Sequence, residues 1–113
     1  MAIPFVTIEL DKPRRLRFGM GAQVEFEQIS GKTIAELGDE LSRGSVSAKT
    51  IAELLFVMLK REDNELTRDA FYDLIDENAS GMKYIQTKTI EAVGAAFNNE
   101  KEDELPNAQK PKR

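Results

Sequence analysis

The 113-residue chain contains no histidine, no cysteine and no tryptophan. Without histidine it lacks the side chain that most often serves as a general base near neutral pH. Without cysteine it has no thiolate nucleophile, no disulfide staple and no Cys/His zinc site. The longest apolar run, Leu54–Leu59, is far shorter than the roughly 20 residues that span a bilayer. The first residues, Met-Ala-Ile-Pro-Phe-Val-Thr-Ile, lack the basic stretch and long apolar run of a signal peptide, so none is expected. The missing cysteines fit a reducing compartment, and the expected location is cytoplasmic. These absences leave no chemically loaded cluster. The expectation is a non-enzymatic chain with no cofactor and no metal, carrying a surface that binds another protein.

What is present is an ordinary folding composition. Hydrophobic residues make up 41% and charged residues 32% of the chain. A domain of this size is expected to hold a net stability of about 5–10 kcal/mol. The charge is uneven. Residues 1–18 carry four basic and two acidic side chains, residues 19–99 carry 8 basic and 14 acidic, and the final stretch is balanced at four of each. An acidic body argues against nucleic acid, because phosphate binding needs clustered Lys and Arg.

Ile3–Leu10 reads as a strand in which Val6, Ile8 and Leu10 alternate with polar residues. Asp11-Lys12-Pro13-Arg14 is a turn signal, and Leu16 and Phe18 then share one face of a second strand. A hairpin over about residues 3–18, with one greasy and one charged side, is therefore expected. Such a hairpin is marginal alone and must lean on the rest of the chain or on a partner.

Helical grammar follows. Gly21–Ser30 is a first short helix with Val24 and one of Phe26 or Ile29 inward, closed by Gly31. Thr33-Ile34-Ala35-Glu36 is a capping box that opens a second helix, which Gly44 ends. Ser47 caps a third helix, apolar almost all round and hence the expected centre of the core. Thr67 caps a fourth, ended by Asn78 and Gly81. A fifth runs from about Ser80 or Gly81 to Asn98, with small residues Gly94, Ala95 and Ala96 that permit close helix packing. Met20, Met58 and Met82 read as core or near-core. The fold class is mainly α: one helical domain of four to five helices over residues 1–98, with the N-terminal hairpin, and a disordered charged tail over residues 99–113.

Several constellations have a chemical and a plain reading. Asp39/Glu40, Glu62/Asp63/Glu65 and Asp73/Asp76/Glu77 could serve acid–base or metal chemistry, but charged residues mostly line solvated faces. Gly19-Met20-Gly21 lacks the third glycine and the Lys-Ser/Thr of a phosphate loop, and reads better as a strand-to-helix turn. The second and third helices faintly resemble a DNA-binding helix-turn-helix, but the would-be recognition helix opens with a single basic residue, Lys49. Arg14, Arg15 and Arg17 could grip an acidic partner, or simply protect a strand edge.

The order of parts resembles the tail assembly chaperones of long-tailed phages and the related small proteins of gene transfer agents. The resemblance covers about residues 6–97. It rests on Ile8-Glu9-Leu10, the turn, the run Arg15-Leu16-Arg17-Phe18-Gly19-Met20-Gly21-Ala22, and Val24-Glu25-Phe26-Glu27 in the first helix. The Gly31-Lys32-Thr33-Ile34 start and the closing Ile90-x-x-Val93-x-x-Ala96-Phe97 are also similar. This resemblance implies a non-enzymatic cytoplasmic protein of the bacterial host. Its partners would be the tape-measure protein, which it keeps soluble, and the tail tube subunits that it helps recruit. Neither nucleic acid nor membrane is an expected partner.

Expected client-binding residues are Phe5, Phe26, Phe56 and Tyr84, hydrophobics not needed for the core, of which Phe26 and Phe56 sit off the main stripe, together with Arg14, Arg15 and Arg17 on the hairpin. Self-association through the hairpin edge or the small-residue face of the last helix is compatible with the pattern. The alternatives are a small phage DNA-binding or regulatory helical protein and a head–tail joining structural protein.

Overall fold

The computed structural model describes residues 2–104, with side chains to residue 97. Two strands, β1 (Val6–Glu9) and β2 (Pro13–Leu16), precede five helices among the described residues: α1 (Met20–Ser30), α2 (Ile34–Arg43), α3 (Ala48–Glu62), α4 (Arg68–Asn78) and α5 (Met82–Glu104). The expected mainly α architecture with an N-terminal hairpin is the one observed.

The strands are antiparallel, with Val6 opposite Leu16 and Ile8 opposite Arg14. Alternation sends Ile8, Leu16 and, just beyond the strand, Phe18 to the same face, and all three are fully buried. The same alternation brings Arg14, two residues before Leu16, onto this inward face. Its side chain is only 13% exposed, and its charge is met by Asp11 at 3.0 Å and Asp63 at 3.6 Å. The division into a greasy and a charged side therefore breaks at Arg14, where a buried stem carries a paired head at the edge.

Local chemistry starts and stops the helices. The Thr33 hydroxyl accepts from the Glu36 N–H at 3.1 Å while the Glu36 carboxylate accepts from the Thr33 N–H at 2.8 Å, a complete capping box. Glu27 adds a second anchor to α2 by accepting from the Ile34 N–H at 2.8 Å. Ser47 and Thr67 cap α3 and α4 by accepting from the amides of Thr50 and Ala70. Gly31 and Gly44 close α1 and α2 at φ of 76° and 67°, the left-handed conformation that glycine adopts without strain.

The core is built around α3, in which Ile51 and the whole run Leu54–Leu59 are buried. It packs on α1, β2 and α5, and α5 in turn packs on β1. Phe18 lies edge-on to Phe26 at 6.2 Å and to Phe97 at 6.4 Å, so one ring joins hairpin, α1 and α5. The hairpin thus leans on the helices, as its marginal stability requires.

Four expectations change. In α1 the buried stripe is Ala22 and Phe26, with Ile29 half-buried, and Val24 is 48% exposed because it lies off that i, i+4, i+7 row. Only Met58 of the three methionines is core: Met20 and Met82 are 76% and 65% exposed. Each opens its helix, where the Cα–Cβ bond leans toward the helix start and carries the side chain past the packed turns. In α5, Ala92 and Ala96 are buried, but a side chain added at Gly94 would meet open space, so no close approach depends on that glycine. The α5 backbone continues as helix to Glu104, beyond the end expected near Asn98. The rest of the expected disordered tail, residues 105–113, lies outside the described residues, as do the side chains of residues 98–104.

Candidate functional site

The hairpin residues singled out in the sequence are brought together, but most of their charge is spent within the chain. Arg15 grips Glu62 of α3 with both carboxylate oxygens, at 3.0 and 3.1 Å from one guanidinium nitrogen. Arg14 donates two hydrogen bonds to Asp11, and these hold the Asp11 carboxyl below its ordinary value against the opposing effect of burial. The guanidinium carbons of Arg15 and Arg17 lie 4.0 and 3.8 Å from the centre of the Phe5 ring. Phe5 is thereby held against the outward face of the hairpin.

The helical residues behave differently. Phe26 is fully buried, so it is a core residue and offers nothing to a partner in this conformation. Phe56 is 7% exposed and packs 5.4 Å from Phe71, so it forms the wall of a hollow and projects no contact of its own. Tyr84 is half-buried, and its hydroxyl accepts from the Glu9 N–H at 2.9 Å, pinning α5 to β1.

A different surface emerges where α3, α4 and α5 meet. An open groove of about 410 Å³ runs between them, walled by Ile51, Leu55, Phe71, Ile75 and Ile85, with Tyr72 and Met82 at its rim. Tyr72 and Met82 are 45% and 65% exposed, large apolar side chains left uncovered beside an apolar floor. The groove exists because α4 buries only Phe71 and Ile75 and contributes a short wall. Comparison with protein-family models, with curated proteins and with solved structures finds no match.

On the far side of Phe71 and Tyr72 lies a smaller hollow of about 290 Å³, also lined by Phe56, Arg68 and Glu53. Glu53 is 5% exposed in the middle of α3, and Lys49 donates to its Oε2 at 2.9 Å. Its Oε1 is buried and accepts no hydrogen bond among the described residues. Nothing in the sequence pattern flagged Glu53: it stands next to an apolar run, where a carboxylate reads as a break in the stripe.

The acidic clusters form no metal-binding group among the described residues. Asp69, Asp73, Asp76 and Glu77 are all exposed on α4. At the Gly19–Gly21 turn, Gly19 takes an ordinary φ of −85°, and a side chain at Gly21 would meet the Arg61 guanidinium at 2.7 Å. Helix α3, which stands where a recognition helix would, is buried over most of its length. Among the described residues no helix is long and apolar enough to cross a membrane.

Proposed function

We propose that this chain is a non-enzymatic tail assembly chaperone of a long-tailed phage, prophage or gene transfer agent. It works in the host cytoplasm, binds apolar helical segments of the tape-measure protein and so helps tail tube subunits assemble around it. The observation that carries this reading is the uncovered apolar groove between α3, α4 and α5, with Tyr72 and Met82 at its rim. A tape-measure protein exposes long apolar helices before assembly, and a groove of this kind accepts a helix through anchors spaced at i, i+3, i+4 and i+7. Burial of apolar surface contributes about 25 cal/mol per Å², so a few hundred Å² supports capture that remains reversible. Reversibility suits a carrier that must release its client. The order of hairpin, glycine turn and capped helices supports the same reading through its resemblance to these chaperones.

The test is co-expression with a candidate tape-measure protein, followed by pull-down and a solubility assay. Co-purification with rescued solubility is the expected result. A client that stays insoluble, with no complex, ends this reading. Recovery of the chain from purified virions would point to a head–tail joining role in its place.

A further inference from the structure

The groove is not electrically neutral, and its asymmetry names the chemistry of what it binds. Along α4, Asp69, Tyr72, Asp73 and Asp76 stand at i, i+3, i+4 and i+7 and therefore share one face. Asp76 lines the groove itself and Tyr72 forms its rim. None of these three aspartates is ion-paired among the described residues, whose seven salt bridges all lie elsewhere. The groove and the Glu53 hollow share Ala52, Phe71 and Tyr72, so they form one continuous surface. At its far end, Glu53 Oε1 is buried without a hydrogen-bond donor, although Lys49 occupies Oε2 and Arg68 stacks 5.2 Å above the Phe56 ring. A buried carboxylate oxygen left unpaired is costly and is relieved by any donor that reaches it. The walls around it, Phe56, Phe71 and Tyr72, are aromatic and suit a cation.

We propose that this surface selects a basic amphipathic helix: apolar side chains fill the groove, lysine or arginine on one flank meets Asp73 and Asp76, and one further cationic side chain donates to Glu53. The inference rests on the groove reading above and adds to it the charge of the client. It also explains why the uncovered apolar rim borders the carboxylates of α4.

The test uses the full chain and two designed helical peptides with the same leucine and alanine face, one flanked by lysine and the other by glutamate. Binding is followed by fluorescence anisotropy. The lysine peptide is expected to bind about tenfold tighter in low salt, several exposed charge pairs acting together. That preference should shrink toward unity near 1 M salt, where screening is nearly complete. The Asp73→Asn/Asp76→Asn pair, both exposed and safe for folding, should remove about threefold of the preference, again as expected of exposed pairs. Glu53→Gln, which keeps the side-chain shape, should weaken the lysine peptide and leave the glutamate peptide unchanged. Equal binding of the two peptides overturns the charge selection and leaves the groove reading standing. Binding of neither by a folded chain overturns the groove as a helix site. A concentration-dependent dimer that competes with both peptides overturns the proposal in favour of a second copy of this chain.

Discussion

Glycine has opposite meanings at different points of this chain. At Gly31 the backbone sits at φ 76°, so alanine there is expected to destabilise by about 1 kcal/mol, the typical strain of a left-handed residue with a Cβ. Gly38 lies inside α2, and a Cβ added there meets nothing within 4 Å. Gly38→Ala should therefore raise stability by about 0.5–1 kcal/mol through helix propensity alone. Urea unfolding of the two variants checks both signs. A loss at Gly38 would show that the space beside it is occupied. The other residue-scale prediction concerns Asp11, whose carboxyl is held below its ordinary value of 3.8 chiefly by the Arg14 hydrogen bonds. A depressed carboxylate favours the fold in its ionised form. Its contribution is complete above the ordinary carboxylate range and disappears as pH falls through the lowered value. In Arg14→Gln the Asp11 carboxyl should titrate higher than in the parent by NMR, back toward its ordinary value, and the stability gap to the parent should narrow in acid. An unchanged Asp11 titration would remove Arg14 as the cause.

At the scale of elements, the hairpin is fastened to the helices by its buried apolar face, by Arg15 to Glu62, and by one hydrogen bond to Tyr84. Its hydroxyl accepts from the Glu9 amide across 75 positions of sequence. Tyr84→Phe keeps the ring and removes the acceptor, so it should cost about 0.5–1.5 kcal/mol, the net worth of one hydrogen bond. Faster hydrogen exchange at the Glu9 amide, with the α3 amides unaffected, is the accompanying signature. This contact marks the boundary of what the residues alone reveal. The caps at Thr33, Ser47 and Thr67 and the stops at Gly31 and Gly44 were legible, because each depends on atoms three or four residues away. The central place of α3 was legible because its apolar face has no polar gap wide enough for solvent. The exposure of Val24, Met20 and Met82 was not, since apolar spacing does not distinguish a covered side chain from an uncovered one. The groove is hidden for the same reason: Ile51, Leu55, Phe71 and Ile85 are buried core residues that also wall it, and only Tyr72 and Met82 at its rim stand exposed. Of the expected contact residues, Phe26 was consumed by core packing, and Tyr84 is half-buried with its hydroxyl engaged by the Glu9 amide.

At the scale of the molecule, two surfaces of opposite character are set toward opposite ends of α3. The groove uses the first half of that helix, from Ala48 to Leu55, whereas the hairpin arginines meet its last residue, Glu62, and Asp63 just after it. With a rise of about 1.5 Å per residue, some 10–20 Å separate them, and substitutions at one should add independently to those at the other. That separation lets the two candidate contact surfaces be told apart. Tyr72→Ser with Met82→Ser removes the exposed rim. Met82 is largely in solvent and its loss should cost no more than about 0.5 kcal/mol, whereas Tyr72, whose ring lies 5.7 Å from Phe71, should cost about 1 kcal/mol. If the groove holds the client, this pair abolishes rescue of the co-expressed tape-measure protein while the chain still unfolds in one cooperative thermal transition. Arg15→Gln with Arg17→Gln strips the outward charge of the hairpin and should leave rescue intact. The reverse pattern, rescue lost with the arginines and kept without the rim, would move the client to the hairpin and return the groove to the status of an incompletely covered core.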